Sequence, residues 1–480
     1  MNARQKQSEA NSANGSETRD VVSALMARAR AAQEVFAQSG QATLDAAADA
    51  AAWAIMEPDR NRQLAELSVR DTGLGNVDDK FRKNFRKTLG LLRDLQGQKT
   101  TGVISRDDAR GLIEIARPVG VVAAITPSTN PAATPANKIV NALKCGNAVI
   151  VAPSPKGYTA AALLVGFIHQ QLRKAQCSVD LVQLLPAPVS KAATAELMRP
   201  ADLIVATGSQ ANVRMAYTSG TPAFGVGAGN VASIVDASAD LHAAADKIMR
   251  SKIFDNATSC SSENSVVIEA VVYDAMLAAL ADCGGVMLDA SQKRRLQDVM
   301  WPDGKLSQAC TGRNAATIAK IAGLDDVAAH EPKFLMVEES GFGAEHPFSG
   351  EKLSPVLAVY RARDFDHAAD IVREIYGYMG AGHSVGLHST DAARAELLGR
   401  TLPVARVIVN QAHCLATGGN FDNGLPFSLS MGCGTWGGNN FSSNLNFRHY
   451  LNITRVAFPI KESVPDADAL LGTFFERFGR

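Results

Sequence analysis

The chain has 480 residues, 46% hydrophobic and 20% charged, and its 48 Lys plus Arg balance 48 Asp plus Glu to a formal charge of zero. This length and apolar content support two or three domain-sized units with large cores, while the charge balance leaves no electrostatic footprint for nucleic acid or an anionic membrane. Seven scattered cysteines without a CxxC pair or zinc-type spacing argue against a disulfide framework and disfavour metal catalysis, no apolar run reaches the roughly 18 residues of a membrane span, and the chain reads as reduced and cytoplasmic.

Residues 1–20 are polar and fit neither a secretory signal nor an amphipathic targeting helix, so a disordered leader is expected there. From 21 to about 54 the sequence is rich in Ala and free of Pro, which predicts one or two surface helices. A more charged helical stretch follows through 83–95. Segment 102–118 carries two β-prone pieces around Asp107 and Asp108 and predicts a hairpin. From 119 onward, short apolar runs at 119–126, 148–152, 180–185 and 202–207 alternate with helical segments at 135–143 and 158–172, one ending at Met198 and one starting at Gln210. That alternation predicts an α/β fold with a parallel, doubly wound sheet that binds ligands at the carboxyl ends of its strands. A second α/β segment runs from about 255 to 410, with a loop and strand at 351–362. The tail from Gln411 is dense in Gly and Asn and interleaved with Trp436 and several Phe, which implies close backbone packing or a binding loop.

Five places carry candidate chemistry. In FDNATSCSSEN, Cys260 stands among Ser259, Ser261 and Ser262 just before an apolar run, a polar setting that suits a reactive thiol better than a core cysteine. The run DLIVATGSQANV passes from strand through Gly208 and Ser209 into a helix, where backbone N–H groups suit a pyrophosphate; an ordinary strand-helix turn explains it equally well. GVGAGN, with Gly227 and Gly229, is either backbone approaching a flat ligand or a hairpin with bulges. TPSTNP ends the first strand of the sheet, and Ser128, Thr129 and Asn130 offer polar groups there; Asn130 either donates to an oxyanion or caps the following helix. His383, in GAGHSVGLHS, is either a structural residue or an acid-base group.

In order along the chain, RPVGVVAAITPSTNP, ALKCGNAVIVAPSP, ATGSQANVRMAYTSGTPAFGVGAGN, the Cys260 loop, EKLSPVL, GAGHSVGLHS and MGCGTWGGN resemble the aldehyde dehydrogenase superfamily, specifically its acylating, CoA-dependent branch. The resemblance implies a Rossmann-type cofactor domain at 21–253 with an oligomerisation hairpin at about 103–118. It implies a catalytic thiol domain at 254–430, and a C-terminal return with an oligomerisation strand at 431–480. Cys260 matches the nucleophile, Glu351 the residue that holds the nicotinamide ribose, and Gly208 and Ser209 the pyrophosphate loop. Ser128 and Ser154 lie on the cofactor side, Gly227 and Gly229 along its cleft, His383 matches the acid or base for CoA attack, and Asn130 or Thr129 the donor at the reacting oxygen.

The departures from the hydrolysing branch are informative. GVGAGN lacks the carboxylate that activates water there, so a thiol becomes the natural acceptor. Ala152 and Pro155 replace the Lys and Glu that clamp the adenosine ribose, while Ser154 and Lys156 favour a 2′-phosphate, so NADP is expected with NAD as the rival. The stretch NFRHYLNITRV resembles members that act on sulfoacetaldehyde, which makes Asn446, Arg448 and His449 candidate sulfonate ligands unless the segment only completes the C-terminal strand. Acetaldehyde, propionaldehyde and succinic semialdehyde are alternative substrates, and a hydrolysing dehydrogenase is the alternative reaction. The partners implied are a small aldehyde, CoA and further copies of the chain in a homodimer or homotetramer, with no metal.

Overall fold

A computed structural model describes the backbone of residues 3–227 and 229–480, with side chains from residue 16 onward except that of residue 228. Four helices, Ala3–Phe36, Gln41–Met56, Pro58–Thr72 and Val77–Leu95, precede the first strand. Residues 1 and 2 of the expected leader lie outside the described residues, but from Ala3 that segment is helix rather than disordered chain. Val22, Leu25, Met26 and Ala29 are buried in the core and nucleate the helix, and extending it toward the N-terminus costs little once a turn exists. The helix Gln41–Met56 is also not the surface helix its composition suggests. Ala47, Ala48, Ala51, Ala52 and Ala54 are buried because their small side chains let this helix pack against Ala133–Lys144 and Tyr158–Lys174.

Strands β1 (Gly102–Asp107) and β2 (Leu112–Pro118) form the predicted antiparallel hairpin. Strands β3 (Val121–Thr126), β4 (Ala148–Pro153), β5 (Val182–Leu184), β6 (Leu203–Thr207) and β7 (Ala223–Val226) form a parallel sheet in the order β5-β4-β3-β6-β7. Every residue of β3 and β4 is buried, which is why both read as unbroken apolar runs: helices cover both faces of a parallel sheet.

A second parallel sheet runs β10-β11-β12-β9-β8-β13-β14, from strands β8 (Val231–Val235), β9 (Glu263–Glu269), β10 (Gly285–Met287), β11 (Phe334–Glu338), β12 (Val356–Ala362), β13 (Val385–His388) and β14 (Val407–Val409). The expected boundary at 253/254 is therefore late. Strand β8 and the helix Leu241–Ile253 already belong with the second sheet, and GVGAGN is the crossover between sheets rather than a hairpin. Strand β15 (Leu451–Ala457) returns to pair antiparallel with β2, placing Ile453 opposite Ala116. Among the described residues, no helix is long and apolar enough to cross a membrane.

Candidate active site

The carboxyl ends of β3 and β6 face the amino end of β9 across a cleft of about 760 Å³. Ser128, Thr129 and Asn130 after β3, Ser154 after β4, Gly208 and Ser209 after β6, Gly227, Cys260 and Glu351 all line it. Residues from 128 to 351 in the sequence thus meet in one cavity. His383 lies directly behind the cleft wall, fully buried, with Nε2 3.5 Å from Cys260 Sγ. Gly229 sits between them: a Cβ there would be 2.5 Å from the Cys260 carbonyl oxygen and 2.9 Å from His383 Cδ2.

The Cys260 loop is held in an unusual shape. Asp255, Asn256 and Ala257 take φ values of 51°, 51° and 57°, each costing roughly 1–2 kcal/mol for an L-residue, so the surroundings must impose the conformation. The buried Asp255 carboxylate does so. It accepts from Lys83 Nζ at 2.6 Å, Lys80 Nζ at 2.9 Å, Thr258 Oγ1 at 2.8 Å and the Asn76 N–H at 3.0 Å. Burial pushes this carboxyl up, but Lys83 and Lys80 outweigh it and hold Asp255 below its ordinary value. The same lysines reach the β3 loop, Lys83 donating to Asn130 Oδ1 at 2.8 Å and Lys80 to the Thr129 carbonyl at 2.9 Å. An ammonium is donor only, so the Asn130 carboxamide turns its oxygen to Lys83 and is left with its N–H groups for the cleft.

The thiol and imidazole are both kept neutral. Burial, followed by the charge of Glu351, pushes the Cys260 thiol up from its ordinary value. Burial, reinforced by Arg406 and His413, holds His383 well below an ordinary histidine. Arg406 is itself buried and fans out to the carbonyls of His383, Gly432 and Ser442 and to Asn444 Oδ1. His383 Nδ1 pairs with Ser384 Oγ at 2.7 Å, so its Nε2 can accept the thiol proton. This arrangement favours proton transfer during attack over a resting thiolate-imidazolium pair, since a buried ion pair is stable only with well-placed partners. Glu351 accepts from the Gly229 N–H at 3.3 Å, and burial raises it to about 7.

The other half of the cleft fits a dinucleotide. Gly208 has φ 152°, which favours glycine, and a Cβ built there would meet nothing nearer than 3.9 Å, while Ser209 caps the helix Gln210–Tyr217 by accepting from the Asn212 N–H. The first-turn N–H groups of that helix and the neutral hydroxyls around them are suitable donors for a pyrophosphate. Ser154 follows β4, and Lys156 reaches across to Gln308 Oε1 at 2.8 Å.

Asn446, Arg448 and His449 do not line this cleft. Asn446 caps the short helix Phe447–Tyr450, Arg448 lies over the Phe447 ring, and His449 packs edge-on against Phe224 and Phe441. The segment leads into β15, so its cationic residues belong to packing rather than to the cavity. Besides Arg250, the cations that do line the cleft come from the helix Val77–Leu95, which sequence reading passed over: Arg82, Lys83, Arg86 and Lys87. Their spacing at i, i+1, i+4 and i+5 was the available signal, because it places two pairs on one helical face.

A model described as the Aldehyde dehydrogenase family matches residues 4–284. The chain is 69% identical over 461 residues to the Sulfoacetaldehyde dehydrogenase (acylating) of Cupriavidus necator, covering 96% of this chain and 94% of the relative. It is 39% identical to the Sulfoacetaldehyde dehydrogenase (acylating) of Bilophila wadsworthia, covering 96% and 99%. An acetylating aldehyde dehydrogenase from Geobacillus thermoglucosidasius, solved as a crystal structure, superposes with a TM-score of 0.90 at 33% identity, covering 94% of this chain and 99% of that one.

Proposed function

The chain belongs to the aldehyde dehydrogenase family, and from that premise we propose that it catalyses the reversible conversion of an aldehyde, CoA and NAD(P)+ into acyl-CoA, NAD(P)H and a proton. Cys260 Sγ attacks the carbonyl carbon and its proton passes to His383 Nε2, while the Asn130 N–H groups steady the developing alkoxide. The nicotinamide dinucleotide, when bound, accepts the hydride that turns this adduct into a Cys260 thioester. His383 then gives up the Cys260 proton to solvent; the CoA thiol attacks the thioester, and His383 takes its proton and passes it to Cys260 Sγ as acyl-CoA leaves.

The observation that carries this reading is the Cys260–His383 contact of 3.5 Å in a cleft whose 225–230 crossover supplies no carboxylate to activate water. Gly208 and Ser209 would hold the pyrophosphate and Glu351 the nicotinamide ribose. Ser154 and Lys156 favour the 2′-phosphate of NADP over NAD. The identity to the Cupriavidus relative supports sulfoacetaldehyde as the aldehyde, and its sulfonate suits the cationic face of the helix Val77–Leu95. The β1-β2-β15 sheet leaves the outer edge of β15 free to pair with a second copy, which supports a homodimer or homotetramer. All seven cysteines are unpaired, as suits a reducing cytoplasm.

The test is reduction of NADP+ and NAD+ with sulfoacetaldehyde, acetaldehyde, propionaldehyde and succinic semialdehyde, with and without CoA. Sustained turnover is expected only with CoA and is fastest with sulfoacetaldehyde and NADP+. Steady release of free acid without CoA would overturn the acylating reading.

A further inference from the structure

We propose that Lys83 is a positioning residue for this reaction, fixing the orientation of the Asn130 carboxamide and locking it to the Cys260 loop through Asp255. The inference rests on the reading of Asn130 as the donor to the reacting oxygen.

The charge arrangement asks for such a role. Lys80 and Lys83 both donate to the same oxygen of Asp255, at 2.9 and 2.6 Å, with the three side chains almost completely buried. Lys80 feels both Asp255 and Asp79, whereas Lys83 is ion-paired with Asp255 and shares that carboxylate with Lys80. A buried ammonium is stable only when its remaining donors are satisfied, so Lys83 requires another partner. For Lys83 that partner is Asn130 Oδ1 at 2.8 Å; the Lys80 contact with the same loop is to a backbone carbonyl, which does not depend on any side-chain orientation.

Two consequences follow from elementary chemistry. A carboxamide that lines a polar cleft can present either its oxygen or its nitrogen, and only the latter supports an alkoxide. The Lys83 ammonium, which cannot accept a hydrogen bond, selects that orientation. Its positive charge also draws electron density through the amide and makes the N–H groups stronger donors, the cooperative effect expected in a linked buried network. Asp255 completes the device because it begins the left-handed turn that leads, five residues on, to Cys260. Donor and nucleophile are thereby tied to one rigid group, although they come from different sheets.

The experiment is a double-mutant cycle on the full-length protein with Lys83→Met, Asn130→Ala and both together, measuring kcat and KM for the aldehyde and dinucleotide affinity. Lys83→Met is expected to lower kcat about 10- to 100-fold, below the roughly 10²- to 10³-fold loss expected of Asn130→Ala, with aldehyde KM and dinucleotide affinity changed less than about threefold. The double variant is expected to be no slower than Asn130→Ala, because Lys83 acts only through that amide. Should Lys83→Met fail to fold, Lys83→Gln keeps a donor for Asp255 without the charge and serves in the same cycle. Multiplying losses, or a Lys83 variant with wild-type kcat, would overturn the proposal while leaving the Asn130 reading intact. An undiminished Asn130→Ala would overturn both.

Discussion

Gly229→Ala puts the Cys260–His383 geometry to its sharpest test. The added methyl would lie 2.5 Å from the Cys260 carbonyl oxygen and 2.9 Å from His383 Cδ2, where ordinary contact begins near 3.4 Å. One of the three groups must therefore move by close to 1 Å. His383 is fully buried and held through Ser384 and Arg406, and the Cys260 backbone is fixed by the turn that Asp255 organises. Gly229 cannot retreat freely either, since its N–H is donated to Glu351. Displacement of that size costs about 10²-fold in rate when it falls on reacting groups, and overpacking adds roughly 1–3 kcal/mol of instability. Gly166→Ala, in the helix Tyr158–Lys174 and outside the cleft, is the internal control: its methyl would meet nothing within 4 Å. The assay is the pre-steady-state burst of reduced dinucleotide at saturating aldehyde, followed by the rate of CoA-dependent turnover. A fall of about 100-fold in both is expected for Gly229→Ala, against less than threefold for Gly166→Ala. A Gly229→Ala enzyme within threefold of wild type would show that the Cys260–His383 contact is not needed at its observed spacing.

Three further outcomes follow from charge and burial. Because the Glu351 charge helps to push the Cys260 thiol up, Glu351→Gln should speed iodoacetamide labelling of Cys260 about two- to tenfold at pH 8. The effect should vanish below about pH 6, where Glu351, raised to about 7, is already neutral; labelling that is unchanged at pH 8 refutes the coupling. Arg82→Gln and Arg86→Gln should lower kcat/KM for sulfoacetaldehyde about three- to tenfold at low salt and leave acetaldehyde unaffected, the difference closing at high ionic strength; equal losses for both aldehydes would remove these arginines from anion selection. Burial lowers His388 to about 3, so below the ordinary value of 6.5 the unfolded chain binds a proton that the folded one refuses. Stability of the wild type should therefore fall relative to His388→Leu by about 1.4 kcal/mol per pH unit from pH 6.5 downward, measured from urea midpoints. A constant difference between the two proteins would mean that His388 titrates normally.

The legible part of the fold is the part whose pattern has a single physical cause. Strands β3, β4 and β6 read as strands because burial on both faces demands continuous apolar side chains, and Cys260 stood out because four polar residues precede an apolar strand only where a loop meets a sheet end. The domain boundary was misplaced because VASIV at 231–235 satisfies the same demand in either sheet. The Ala-rich helices read as surface because alanine alone does not distinguish exposure from close helix packing. Asn446, Arg448 and His449 were drawn into the substrate site by side-chain type, and capping and ring packing claimed them instead.

What could not be read is anything that depends on distance in the chain. Lys83 and Asp255 are 172 residues apart, and Cys260 and His383 are 123 apart, and neither motif signals the existence of the other. The zero net charge illustrates the same limit. It excludes a polyanion partner, yet it conceals that one helix turns Arg82 and Arg86 to the cleft mouth while Lys83 is committed to Asp255 and Asn130 and Lys87 to three backbone carbonyls. Of these four cations, Lys83 is tied to the Asp255 and Asn130 loops and Lys87 to the 415–419 backbone, while Arg82, paired with Asp79, and Arg86, bonded to Asn420, keep exposed guanidinium groups at the cleft. If the proposed roles hold, selectivity for an anionic aldehyde and support of the alkoxide would come from neighbouring stripes of one helix, so substitutions at 82 and 86 should move KM while those at 83 move kcat.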